Sequence, residues 1–294
     1  MPRREWMEKG LAGFAWAAAA CLLMAFGLVV GFLLWHGAPQ LGCRLLFGGT
    51  SPRAALLGLE PVFSGLYPAL VGTLSLVALA LAVALPLGLG AGIYLAEYAG
   101  PRSRRWLGLL FDVLAGIPSI VIGLFGLSLT IFLHRTLFPR LFPCLLISAL
   151  ALAFLVLPYL VRTTQAALEA IPLSVRLTAP ALGAVRLQNL FFVLLPHSLK
   201  GILSGVLLAT GRCAEDTAVI MLTGVVASAG LPGSLLGGYE ALPFYIFYVS
   251  SQYADRQELL QGYGAAVLLL LLCGLLFAFS LAVRRGLSRR FFSH

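Results

Sequence analysis

Charge is scarce along this chain: aspartate, glutamate, lysine and arginine together make up 11% of its 294 residues, and lysine occurs only as Lys9 and Lys200. Soluble domains carry about 25% charged residues to keep their surfaces hydrated. With 60% apolar residues beside that shortage, a water-soluble globule is excluded and an all-α integral membrane protein is expected. Paired cysteines are also lacking. Cys21, Cys43, Cys144, Cys213 and Cys273 show no C-x-x-C spacing and lie mostly in apolar segments, so neither a metal, a redox site nor any other cofactor is expected. The odd count speaks against a disulfide, and the one pair that could meet outside the membrane is Cys43 with Cys144. No G-x-x-x-x-G-K-S/T phosphate loop, H-E-x-x-H or nucleophile elbow occurs. The chain is therefore not expected to be an enzyme, and any nucleotide hydrolysis that drives it belongs to another polypeptide.

What is present is apolar length. A helix needs roughly 20 apolar residues to cross the hydrocarbon core, and six stretches qualify: Leu11 to Trp35, Tyr67 to Tyr94, Trp106 to Leu133, Leu145 to Val161, Gly201 to Leu222 and Gly264 to Val283. The first apolar run, about 25 residues after Lys9, exceeds a signal-peptide core and is expected to remain as a span. The organisation that follows is an N-terminal span with its outer loop (1–66), a transmembrane domain (67–283) and a short basic tail (284–294).

Basic residues orient the spans, because cytoplasmic loops retain lysine and arginine. Arg3, Arg4, Lys9, Arg102, Arg104, Arg105, Arg162, Arg176, Arg186, Lys200, Arg284, Arg285, Arg289 and Arg290 fall on one side, fourteen of the twenty basic residues. Arg44, Arg53, Arg135, Arg140 and Arg256 fall on the other, and Arg212 lies inside a span. Both termini and the loop 162–200 are thus expected in the cytoplasm. The net charge of +9 is mostly this topological bias, and binding of nucleic acid is not inferred from it.

That loop is a mixed polar segment of about 40 residues between apolar spans. Pro172 and Pro180 punctuate a helical region, Gly183 permits a tight bend, and Pro196 restarts the path into the fifth span. Short helices of this kind suit docking into a partner's cleft; an interfacial loop with no partner fits the residues equally well.

A resemblance favours the first reading. Leu177-Thr178-Ala179, Gly183, Val193 and Leu195-Pro196 fall on the frame E-A-A, three residues, G, nine residues, I-x-L-P, and so resemble the cytoplasmic loop of ATP-binding-cassette (ABC) importer permeases. Leu177 stands in place of that family's glutamate and Thr178 in place of its first alanine. Pro86-Leu87-Gly88, Ile93-Tyr94-Leu95-Ala96-Glu97-Tyr98, Gly116-Ile117-Pro118-Ser119, Leu157-Pro158, Arg162-Thr163-Thr164 and Leu242-Pro243 are similar to the phosphate-specific PstA-type branch. The resemblance covers about 67–283. It implies the type I importer fold with a coupling loop, a bacterial inner-membrane location, a homologous PstC-type second permease, two PstB-type ATPase chains and an external PstS-type phosphate-binding protein.

Buried charge marks the candidate pathway. An ionised side chain at the bilayer centre costs about 2.5–3.5 kcal/mol, yet Arg212, Glu215 and Asp216 lie together beside Thr217 in the fifth span. A guanidinium can hold an oxyanion through two parallel hydrogen bonds, and a carboxylate can accept the proton that hydrogen phosphate still carries. Alternatively, Arg212 and Asp216, four residues apart on one helical face, merely neutralise each other. The resemblance implies that Arg212 and Thr217 match the family's G-R-x-x-G-E-T, with Asp216 in place of its glutamate and Glu215 in place of its glycine. Arg162 matches a second family arginine on the translocation path, and it also reads as a positive anchor at the inner end of the fourth span. Asp112, early in the third span, is expected to be interfacial or paired to Arg104 or Arg105, and no role is assigned to it. Pro118-Ser119 could break the third helix and aim backbone amides at an anion, or form only a packing kink. Gly88 with Gly92, and Gly201 with Gly205, have the spacing for close helix contact, either within this chain or with the second permease.

Overall fold

The computed structural model describes residues 2–56 and 65–292. Met1, the stretch 57–64 and residues 293–294 lie outside the described residues, as do the side chains of Arg3, Arg4, Arg284, Arg289 and Arg290. In lipid every backbone amide must be satisfied within the protein, and helices do this segment by segment. The described residues accordingly fold into α1 (Pro2–Gly37), α2 (Cys43–Phe47), α3 (Pro52–Leu56), α4 (Tyr67–Ile93), α5 (Pro101–Ala115), α6 (Ser119–Thr136), α7 (Leu145–Glu169), α8 (Leu173–Ala181), α9 (Arg186–Asn189), α10 (Leu195–Glu215), α11 (Thr217–Thr223), α12 (Leu242–Gln252) and α13 (Arg256–Phe292). A π-helical turn, Tyr94–Tyr98, extends α4, and a second, Leu190–Leu194, leads into α10. Among the described residues there is no strand, only an isolated bridge between Val225 and Tyr239.

Six helical stretches are long and apolar enough to cross a membrane: Glu8–Gln40, Tyr67–Tyr98, Ser119–Thr136, Leu145–Glu169, Arg186–Glu215 and Arg256–Val283. Two differ from expectation in kind. The third span does not begin at Trp106: the chain breaks at Gly116–Pro118, where Pro118 takes an extended conformation as the N-cap of α6, so α5 is a separate helix. The break at Pro118-Ser119 is therefore real. The fifth span does not run through to Leu222 as one helix, because α10 stops at Glu215 and Asp216 takes an extended conformation with φ −75° and ψ 112°.

Position in the bundle follows from side-chain size. α7 is the central element, buried along 67% of its apolar window, whereas α1 is exposed along the whole of its own. A Cβ built on Gly88 would sit 2.6 Å from the Leu160 Cβ, on Gly92 2.6 Å from the Thr164 Cβ, and on Gly201 2.6 Å from the Ala167 Cβ; Gly205 abuts Thr163. All four glycines thus serve close packing within this chain, with α4 parallel and α10 antiparallel to α7. At the end of the bundle away from α8, the segment between α11 and α12 closes the start of α7: the amides of Cys144, Leu145 and Leu146 donate to the carbonyls of Thr223, Gly237 and Leu235 at 3.0, 3.1 and 2.9 Å. These are the donors that a helix start leaves unsatisfied. Cys144 is buried there as a free thiol, and Cys43 is exposed and also free, so the two do not pair.

Candidate functional site

The charged cluster of the fifth span sits at the break between α10 and α11. Packing of Gly201 on Ala167 and of Gly205 on Thr163 fixes the antiparallel register of α10 on α7. Continued at 1.5 Å per residue, that register puts Arg212 level with Val156, near the middle of α7. Arg212 Nη1 donates to Glu215 Oε1 at 3.3 Å, and its Nη2 lies 3.6 Å from Asp216 Oδ2. Both are longer than the 2.7–2.9 Å of a tight charge-assisted bond. The Arg212 Nε is buried and has no partner among the described residues. Arg212 is therefore only loosely neutralised by its acids and keeps donors in reserve, which weighs against a purely structural pair.

Asp216 does a second job that the sequence reading missed. It is not on the face of a continuous helix; it is the N-cap of α11, its buried Oδ1 accepting from the Val219 amide at 2.9 Å. An aspartate followed by an apolar run is the sequence signal for such a cap. Its carboxylate thus ties the start of α11 to Arg212 at the end of α10. Thr217, half-buried in the first turn of α11, makes no hydrogen bond among the described residues, so its hydroxyl is available. Glu215 is mostly exposed, at 60% of its side chain.

Arg162 is not part of this cluster. It sits in α7, roughly 9 Å nearer the basic end along the helix axis than the level of Arg212. Asp112 pairs with Arg162, and not with Arg104 or Arg105: Arg162 Nε donates to Oδ1 at 2.8 Å and Nη2 to Oδ2 at 2.5 Å. This bidentate fork is completed by Gln165 Oε1 at 2.9 Å and the Gly108 carbonyl at 2.7 Å. The contacts with Asp112 and Gly108 fasten α5 to α7, and the one with Gln165 lies within α7. The same residues line one wall of a cavity of about 500 Å³ with Arg104 and Arg105, which none of Arg212, Glu215, Asp216 or Thr217 lines.

The loop is shorter than the expected span from Arg162 to Lys200. α7 continues helically to Glu169, and the helical stretch that becomes α10 already begins at Arg186, so the part between the two spanning stretches is essentially α8 with its connections. Pro172 caps α8, Gly183 makes the bend with φ +85°, and Pro196 occupies the first turn of α10. Leu177 and Thr178 are exposed on α8 and Ala179 is half-buried. Leu173, Leu182, Val185 and Leu187 are exposed too, Leu182 to 90%, which leaves an apolar face with no cover among the described residues.

Beneath that face is a joint whose residues had been assigned no role. Arg176 of α8 holds Glu97 of the α4 extension, Nη2 to Oε1 at 2.9 Å and Nη1 to Oε2 at 3.2 Å. It also donates to the Leu168 carbonyl of α7 at 2.7 Å, while Asn189 of α9 donates to the Arg176 carbonyl at 3.0 Å. Leu168, Ile171, Leu190 and Leu194 bury against one another around it. One arginine thus connects the loop to two spans. Lone charges at span ends, such as Glu97, were the available signal. A further pair, Arg104 with Glu169, fastens the start of α5 to the end of α7.

Residues 88–292 match the family model described as a binding-protein-dependent transport system inner membrane component. The chain is similar to the phosphate transport system permease protein PstA of Haemophilus influenzae, 32% identical over 274 residues that cover 92% of each protein. It is also similar to PstA 1 of Mycobacterium tuberculosis strain CDC 1551, 33% identical over 216 residues, 72% of this chain and 68% of the relative. Among solved structures, inward-facing MetNI, a methionine ABC transporter, superposes with a TM-score of 0.57 over 82% of this chain and all of that one, at 18% identity. The last likeness speaks to the fold alone.

Proposed function

Because the chain belongs to the family of binding-protein-dependent transport system inner membrane components, we infer that this multi-pass inner-membrane protein is the permease subunit of an ATP-driven importer whose cargo is inorganic phosphate. Identity of about a third to phosphate permeases over nearly the whole chain supports the cargo. The observation that carries the mechanism is Arg212: a cation at mid-bilayer depth, held loosely by Glu215 and Asp216, with a buried Nε left over. Hydrogen phosphate would accept from the free donors of Arg212 and donate a hydrogen bond, through its remaining O–H, to a carboxylate oxygen of Asp216 or Glu215. The Thr217 hydroxyl adds a neutral partner. Sulfate lacks that proton, so the acids disfavour it.

Access is governed from the loop. Both termini and α8 to α9 face the cytoplasm in this reading, where the exposed face around Leu177, Leu182 and Val185 docks on an ATPase chain. A second, homologous permease and a paired ATPase complete the channel, and a phosphate-binding protein delivers at the outer end. ATP-driven closure of the ATPases would push α8, and the Arg176 joint would carry the displacement into α4 and α7. The break at Asp216 lets α10 and α11 tilt separately, so the Arg212 cluster can face either side in turn.

Phosphate uptake by the reconstituted importer tests the site. Asn caps helices as well as Asp does, so Asp216→Asn preserves the start of α11 while removing the charge. Arg212→Ala is expected to abolish uptake, and Asp216→Asn to reduce it at least ten-fold with α11 intact. Full uptake in both variants removes the cluster from the pathway; uptake that needs no ATP removes the class.

A further inference from the structure

We propose that the basic end of α5 is a binding site for an anionic phospholipid, its arginines taking the phosphodiester headgroup and its apolar stripe an acyl chain. The starting point is depth. α5 runs antiparallel to α7, with Arg104 beside Glu169 and with Gly108 and Asp112 beside Arg162. Its far end, the break at Gly116–Pro118, is therefore near the level of Arg212, and its start lies about 21 Å nearer the end that carries the basic bias, beyond the half-thickness of the hydrocarbon and so among the headgroups.

Two neighbouring cavities open on α5 there. One is the cavity of about 500 Å³ already described; the other, of about 580 Å³, is lined by Pro101, Arg102, Arg105, Trp106 and Leu109. They share Pro101, Arg105 and Leu109. Of the four arginines around them, Arg104 is taken by Glu169 and Arg162 by Asp112. Arg102 and Arg105 make no ion pair or hydrogen bond among the described residues. Two uncommitted positive charges thus face the space at headgroup level.

The second observation is order along the helix. Arg102, Trp106, Leu109 and Val113 recur at helical spacing and form one stripe, with Trp106 exposed to 69% and Val113 to 66%. Read toward the bilayer, the stripe goes from cation, to indole, to aliphatic. That is the sequence a lipid presents from phosphate, through its interfacial region, to chain, and tryptophan favours that middle layer. An acidic protein segment would match the arginines but not the aliphatic continuation. Free phosphate shares the headgroup chemistry, yet it has no use for Trp106, Leu109 and Val113. Basic pockets on the inner side of membrane helices have the same logic.

The test places a benzophenone side chain at position 106 of the assembled importer in vesicles of equal phosphatidylcholine and phosphatidylglycerol, and reads the lipid class of the photo-adducts. Each arginine near an anionic surface favours the anionic lipid about five-fold, so the expected excess of phosphatidylglycerol adducts is about 25-fold. It should fall about five-fold in Arg102→Gln and reach the vesicle ratio in Arg102→Gln/Arg105→Gln. Adducts in the vesicle ratio in the otherwise unaltered chain overturn the proposal. So do adducts mainly to another polypeptide, or an excess erased by added inorganic phosphate, which would mark a free-anion site. None of these outcomes depends on whether the importer carries phosphate.

Discussion

The joint at Arg176 makes a quantitative demand on coupling. In Arg176→Gln the Glu97 carboxylate loses its cation, although the side chains of that pair are only 22% and 18% exposed, and the Leu168 carbonyl loses its 2.7 Å donor. Removing one partner of a buried pair costs about 3–5 kcal/mol; with a fifth of each side chain in water, roughly 2–4 kcal/mol is expected. At 1.4 kcal/mol per factor of ten, the middle of that range shifts the balance between a docked and a detached α8 by about a hundred-fold. ATP hydrolysis would continue on the partner chains while their motion no longer reached α4 and α7. Uptake per ATP, measured in proteoliposomes holding the whole importer, should therefore drop steeply with hydrolysis largely intact. Glu97→Gln/Arg176→Gln leaves no orphaned charge and should recover about half of the lost thermal stability. Unchanged uptake per ATP in Arg176→Gln would refute the reasoning, and so would a double variant no more stable than the single one.

Other perturbations follow from packing and burial. Gly88→Ala places a Cβ 2.6 Å from the Leu160 Cβ, and overpacking of this kind costs about 1–3 kcal/mol. The melting midpoint in detergent should fall, and Leu160→Ala should not restore it because alanine keeps the clashing Cβ; a neutral Gly88→Ala would show that α4 and α7 are not in contact there. In the segment between α11 and α12, burial pushes the Glu240 carboxyl above the ordinary carboxylate range, against the pull of the Ala229 and Gly230 amides that donate to it at 2.9 and 2.8 Å. A raised folded value means the native state holds the proton longer than the unfolded chain. The contribution to stability is full below the ordinary carboxylate value and is lost as pH rises through the raised one. Glu240→Gln keeps an oxygen for both amides and should flatten that slope in a pH series of melting midpoints; an identical slope would show that Glu240 does not titrate differently on folding.

Hydropathy made the spans legible because a bilayer imposes length, but it reports where lipid ends and not where a helix ends. Arg162-Thr163-Thr164-Gln165 reads as the start of a loop, yet α7 runs on to Glu169, because the Asp112 fork and Gln165 satisfy the arginine without leaving the helix. Asp112 and Arg162 are fifty residues apart, and nothing local links them. The break at Pro118 could be anticipated from proline chemistry. The break at Asp216 could not be separated from a buried charge, since one carboxylate serves both as cap and as partner of Arg212. The bend at Gly183 was legible for the opposite reason: a positive φ there leaves glycine the only easy occupant.

The two wide turns at Tyr94–Tyr98 and Leu190–Leu194 have a bearing on ancestry as well as on motion. Each behaves as a single inserted residue, and one residue is worth about 100° of azimuth. Deleting any one position within Leu190–Leu194 would therefore let the turn relax to ordinary pitch and swing either α9 or all of α10 by that angle, carrying Gly201, Gly205 and Arg212 off their present bearings together. In relatives, a one-residue gap at this place should track with a rearranged set of small residues farther along the helix, so that the insertion and the face it aims are inherited as one unit.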